Sequence, residues 1–173
     1  KELLTQIKNH HASLVKDNLI NIKIIGLSNS RKMFVNADGI DLENWENILN
    51  EKGEQASLEG FVNQMKSLDL PNCVFVDNTA TPAPSQFYKE IFESNISVVT
   101  CNKIANSGEY KQFELLKTTA QKHGVDFFYE TNVGAGLPII KTLNDLIISG
   151  DKILKIEAIL SGTISFIFNN FKG

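Results

Sequence analysis

The chain has 173 residues, of which 42% are hydrophobic and 21% charged, and its formal net charge is -3. That is one domain's worth of sequence with enough apolar residues for a real core, and its weak acidity argues against a nucleic-acid module, which carries a basic face. No apolar run approaches the ~20 residues that span a bilayer, and the start lacks the form of a signal peptide. These features predict a cytoplasmic protein with neither a nucleic acid nor a membrane as partner. Cys73 and Cys101 lie in apolar runs and are expected to be two buried, unpaired thiols of a reducing compartment.

Residues 1–16 place Leu3, Leu4, Ile7, Leu14 and Val15 at helical spacing without a capping residue ahead of them, so the chain is expected to begin inside an element. A strand is predicted over 21–27, followed by the polar loop Ser28-Asn29-Ser30-Arg31-Lys32. Asp41 is the expected N-cap of a short helix, and 58–68 reads as a helix with Phe61, Met65 and Leu68 on one side. After Pro71 the pattern alternates. Strands are predicted over 73–77, 96–100, 125–129 and 152–160. Helices are predicted over 83–94, 109–123 and 138–149, with a further one from Thr163. Pro138 suits a first helical position and Gly150 a stop. Short apolar strands alternating with helices imply βαβ units. The expected fold is therefore α/β, a doubly wound, mostly parallel, Rossmann-like sheet covered on both faces and incomplete at both ends.

In such sheets ligands bind beyond the carboxyl ends of the strands. Five predicted strand ends carry small polar or charged residues: Ser28 to Lys32, Asp77-Asn78-Thr79-Ala80-Thr81, Thr100-Cys101-Asn102-Lys103, Glu130-Thr131-Asn132 and Ser161-Gly162-Thr163. Any one of these could be an ordinary loop; five on one edge point to a binding edge. No G-x-G-x-x-G turn is present. Gly134-Ala135-Gly136 has Ile139 at the third glycine position and comes too late in the chain, so the dinucleotide turn is expected upstream of Lys1. Ser30 and Arg31, with Lys32 and no acidic residue, stand where the adenosine ribose is read. They favour a 2′-phosphate, hence NADP over NAD. A solvated loop is the simpler alternative for them.

Val76-Asp77-Asn78-Thr79, Val99-Thr100-Cys101-Asn102-Lys103, the run from Tyr129 to Pro138, and Ile159-Leu160-Ser161-Gly162-Thr163 occur in the order found in homoserine dehydrogenases. The chain resembles that family over essentially its whole length, and Leu42-Glu43-Asn44-Trp45 is more similar to the dehydrogenase part of bifunctional aspartokinase–homoserine dehydrogenases. The resemblance implies an enzyme that reversibly reduces L-aspartate 4-semialdehyde to L-homoserine with NAD(P)H, on the path to threonine and methionine. It implies that Asn78, Thr79, Ala80, Asn102 and Lys103 line the cofactor, and that Lys103 is catalytic between cofactor and substrate. Thr131, Ser161, Gly162 and Thr163 would approach the substrate. Glu130 with the carbonyls of Val133, Ala135 and Leu137 would hold a monovalent cation, sodium being the usual assignment.

On the same ground, residues 1–150 form the cofactor-binding domain without its first strand and glycine turn. Residues 151–173 are expected to open a substrate and dimerisation region, and the resemblance implies a homo-oligomer for the full-length protein and a fusion to an aspartate kinase. The resemblance further implies that the family's catalytic lysine and the acidic residues that bind homoserine follow the Ser161-Gly162-Thr163 region, beyond Gly173. Read without the resemblance, Lys103 is a surface lysine and Glu130 a cap on backbone N–H groups. Cys101 stands where the family often has proline, but a nucleophilic thiol needs a base, and His10, His11 and His123 all lie on predicted helices. The rival functional class is a non-catalytic Rossmann-like module that senses a nucleotide or metabolite.

Overall fold

The computed structural model describes residues 1–159 and 161–170, which fall into two units, Lys1–Pro71 and Asn72–Gly173. In the first unit, α1 (Glu2–Asn18) ends where Leu19 turns left-handed at φ 56. Strands β1 (Gly26–Ser28), β2 (Lys32–Val35) and β3 (Glu54–Gln55) form an antiparallel sheet in that order, with α2 (Trp45–Lys52) and α3 (Leu58–Ser67) around it. The strand expected over 21–27 is thus mostly irregular, and only its end pairs. Just beyond that end, Asn29 Oδ1 accepts hydrogen bonds from the backbone N–H groups of Arg31 (2.8 Å) and Lys32 (2.9 Å). This Asx turn folds the polar loop into a hairpin.

Asp41 is not the cap of α2. Its carboxylate accepts from the backbone N–H of Glu43 and the side-chain amide of Asn44, closing a turn three residues early, and the helix starts at Trp45. Those two bonds, the first the stronger influence, hold the Asp41 carboxyl below its ordinary range. The expected helix over 58–68 forms, capped by Ser57 Oγ accepting from Gly60 N at 3.0 Å, with Val62 and Met65 buried.

The second unit carries the predicted alternation. Strands β4 (Val74–Asp77), β5 (Ser97–Thr100) and β6 (Phe127–Phe128) are parallel and adjacent in chain order. A 3-10 turn over Pro84–Phe87 leads into α4 (Tyr88–Glu93). Then α5 (Ile104–Ser107) and α6 (Tyr110–His123) follow β5, and α7 (Ile140–Ile148) and α8 (Gly162–Asn170) come after β6. Helix α6 stops at Gly124, whose φ of +65 is readily adopted only by glycine.

Alternation along β4 and β5 buries Phe75, Asp77, Val98 and Thr100 on one face, where α4 packs on β5 and α6. Val74, Val76 and Val99 on the other face are exposed, so among the described residues cover over both faces is not seen. Phe92 and Tyr88 meet Phe127 edge-on at 5.4 and 5.8 Å between ring centres and anchor the core. The strand expected over 152–160 is absent from 152–159, and Leu160 lies outside the described residues. Without a neighbouring strand its backbone has no ladder to join. No described helix is long and apolar enough to cross a membrane.

Candidate functional site

Three of the five predicted strand ends converge. Because β4, β5 and β6 run parallel in register, with Asp77 opposite Thr100 and Val99 opposite Phe128, their carboxyl ends share one edge. Asp77, Thr100 and Asn102 are each only 2% exposed there, and Tyr88 is fully buried. Asp77 Oδ1 accepts from Thr79 N at 2.8 Å. Its Oδ2 accepts from Tyr88 Oη at 2.5 Å and from Asn102 Nδ2 at 3.1 Å. Asn102 Nδ2 also reaches the Thr81 carbonyl at 2.9 Å and Thr79 Oγ1 at 3.4 Å. Burial, reinforced by the adjacent Asp77 carboxylate, pushes the Tyr88 hydroxyl far above its ordinary pKa, so it stays protonated and donates.

From β6, Asn132 Nδ2 donates to the Asn102 carbonyl at 3.3 Å. The predicted residues Asn78, Thr79, Ala80, Asn102 and Lys103 therefore sit on adjoining loops. Asn102 is the buried brace, while Asn78, Thr79, Ala80 and Lys103 are exposed. Asn102 Oδ1 accepts from Ile104 N at 3.1 Å, which fixes the start of α5 directly after Lys103. Asn132 Oδ1 and both polar atoms of the Asn106 side chain are buried without a partner among the described residues. Unsatisfied buried amides are rare and call for a partner. This edge thus combines exposed polar loop groups and an ammonium, a set suited to a polar ligand.

Cys101 is exposed rather than buried, its sulfur 3.7 Å from Asn78 Oδ1. Cys73 is half-buried, and burial raises its pKa; neither thiol is in a disulfide. The expected burial of the Cys101 thiol fails because β5 ends at Thr100 and leaves Cys101 on the open edge.

Glu130 follows β6 in a short 3-10 turn (Glu130–Asn132). Its two carboxylate oxygens accept from Ile140 N and Lys141 N, each at 2.8 Å, closing the amino end of α7 across ten residues of chain. Between them Gly134 (φ 72) and Ala135 (φ 53) are successive left-handed residues, which turns the intervening loop back on itself. The helix starts at Ile140, so Pro138 lies ahead of its first turn, where its carbonyl accepts from Thr142 Oγ1. The carbonyl of Leu137 accepts from Ile139 N at 2.9 Å.

No cluster of three His, Cys, Asp or Glu side chains is found among the described residues. One carboxylate with backbone carbonyls is a hard oxygen set. An ionised carboxylate has about four lone-pair sites, so two N–H bonds leave Glu130 able to accept a cation. Thr131 is exposed beside Glu130, and Ser161 caps α8 by accepting from Ile164 N at 3.2 Å, with Gly162 and Thr163 exposed in its first turn. Ser30 and Arg31 are exposed in the β1–β2 hairpin of the first unit.

The strand ends read from the sequence already include Asp77 and Asn132, but not Tyr88. A buried-strand reading of 73–77 ending on a carboxylate was the available signal for Asp77. Nothing in the local pattern distinguishes Tyr88 from a core aromatic.

A family model described as homoserine dehydrogenase, NAD binding domain, matches residues 1–130, and one described as homoserine dehydrogenase matches residues 138–173. The chain is 44% identical over 172 residues to the chloroplastic bifunctional aspartokinase/homoserine dehydrogenase 2 of Arabidopsis thaliana, covering 99% of this chain and 19% of that protein. It thus spans about a fifth of that relative's length. A crystal structure of a Candida auris protein of unknown function aligns over 85% of this chain and 41% of its own, with 32% identity and a TM-score of 0.76. A hyperthermophilic archaeal homoserine dehydrogenase mutant in complex with NADPH shares the fold at a TM-score of 0.59 and 23% identity, over 83% of this chain and 46% of its own.

Proposed function

This chain belongs to the homoserine dehydrogenase family, and on that premise we propose that the protein it forms part of reversibly reduces L-aspartate 4-semialdehyde to L-homoserine with NADPH or NADH. The observation that carries this reading is the convergence of three strand ends through Asp77 and Asn102, which sets Thr79 and Lys103 on one edge. In this reading residues 1–150 bind the cofactor and residues 151–173 begin the substrate region. Asn78, Thr79, Ala80 and Asn102 hold the nicotinamide end. Ser30 and Arg31 read the ribose 2′-phosphate, and the NADPH bound to the archaeal relative supports that preference.

The bound cofactor supplies the hydride. The chain's own contribution is polar: the exposed Lys103 ammonium, at the start of α5, steadies the substrate's carbonyl oxygen and gives it a proton as negative charge develops. Thr131, Ser161, Gly162 and Thr163 orient the substrate. Glu130 with the carbonyls of Val133, Ala135 and Leu137 holds a monovalent cation, sodium by preference, that stiffens the loop ahead of α7. We read the full protein as a homo-oligomer with an aspartate kinase fused to it, as the bifunctional relative suggests. The unpaired thiols suit a reducing cytoplasm.

The test is turnover by the full-length protein. Oxidation of NADPH that depends on added aspartate semialdehyde is expected. Cofactor binding without turnover of that aldehyde would favour the sensing module instead.

A further inference from the structure

We infer that Asp77 and Tyr88 are positioning residues that set the loops bearing Thr79 and Lys103 for the nicotinamide end of the cofactor and do not act on the Ser30–Arg31 hairpin; the inference rests on the dehydrogenase reading above. A carboxylate that is 2% exposed and bonded only to neutral donors is costly to bury. Packing alone would favour an apolar residue at this inward site, as Phe75 is two residues earlier on the same face. What Asp77 gains is geometry. Its three bonds run to three separate segments: the loop after β4 through Thr79 N, the loop after β5 through Asn102 Nδ2, and α4 through Tyr88 Oη.

Tyr88 in turn lies 3.0 Å from Thr100 Oγ1, which accepts from Asn102 N at 2.9 Å. The two loops that bear Thr79 and Lys103 are therefore held at one fixed separation by a buried anchor. Without the Tyr88 hydroxyl, Asp77 Oδ2 keeps only Asn102, and the carboxylate is free to turn away from the Thr79 amide. Ser30 and Arg31 belong to the first unit and have no bond in this network.

The experiment is titration of the full-length protein, wild type and Tyr88→Phe, with NADPH and separately with 2′,5′-ADP, which is the adenosine half alone. Phenylalanine keeps the edge-on packing against Phe127. The expected result is NADPH binding weakened about tenfold and 2′,5′-ADP binding changed by less than about twofold, the loss of one bond to a buried charge. Asp77→Asn, which keeps the side-chain shape, should give the same selective loss. Equal weakening of both ligands in both variants would mean a general structural role and would overturn the inference. Undiminished NADPH affinity in Tyr88→Phe would overturn it alone, whereas a wild type that binds no NADPH would overturn the dehydrogenase reading and this inference together.

Discussion

Glu130 illustrates how one side chain can serve two demands. Its carboxylate accepts from two backbone N–H groups at the amino end of α7, where helix polarity favours negative charge. Replacing it by leucine removes both bonds and is expected to cost about 1–2 kcal/mol of stability, read by urea denaturation, with faster amide exchange at Ile140 and Lys141. If the cation reading holds, the same variant also loses any stabilisation of the wild type by sodium; a wild type indifferent to sodium leaves Glu130 as a cap only. Tyr88 supplies a pH signature. Its pKa is raised by burial, so its contribution is complete below about pH 10, the ordinary tyrosine value. Above that pH the unfolded chain ionises first and stability falls. Tyr88→Phe should flatten the decline seen in denaturant titrations above pH 10.

At the scale of elements, Gly134 and Gly124 make a controlled pair. Both have positive φ, but a Cβ at Gly134 would lie 2.2 Å from Ile139 Cδ1, whereas nothing lies within 4 Å of one at Gly124. Gly124→Ala should cost about 1 kcal/mol for its backbone alone, and Gly134→Ala measurably more, in the same denaturation assay. The reading of elements from sequence succeeded where local signal and long-range partner coincide. Val74 to Asp77 and Ser97 to Thr100 alternate cleanly and pair with each other, and α6 ends on its glycine. It failed at 152–159 because an apolar run becomes a strand only with a neighbour to pair with, and at 21–25 because the Ile24 and Ile25 carbonyls bond to Ile40 N and Asn36 N without a continuing ladder. The direction of β1 was hidden for another reason: a single Asn29 side chain sets the hairpin, and a polar loop after a strand looks the same before a helix. The candidate edge was legible as a set of strand ends, but its brace was not. The bond from Tyr88 to Asp77 spans eleven residues, and no spacing rule announces it.

At the scale of the whole molecule, the two units divide the proposed work. Lys1–Pro71 presents Ser30 and Arg31, and Asn72–Gly173 presents the converging strand ends. The family match runs through both, from 1–130 and again from 138–173. Asp77, Tyr88 and Asn102 set the edge, but the chemistry is assigned to Lys103, the exposed ammonium at its mouth. The most direct measurement is therefore the steady-state rate of NADPH-dependent aspartate semialdehyde reduction by the full-length protein and its Lys103→Ala variant. The account predicts a fall in kcat/KM of about a hundredfold or more, the scale of a lost proton donor, with the folded state retained. Turnover by the variant equal to that of the wild type would contradict it.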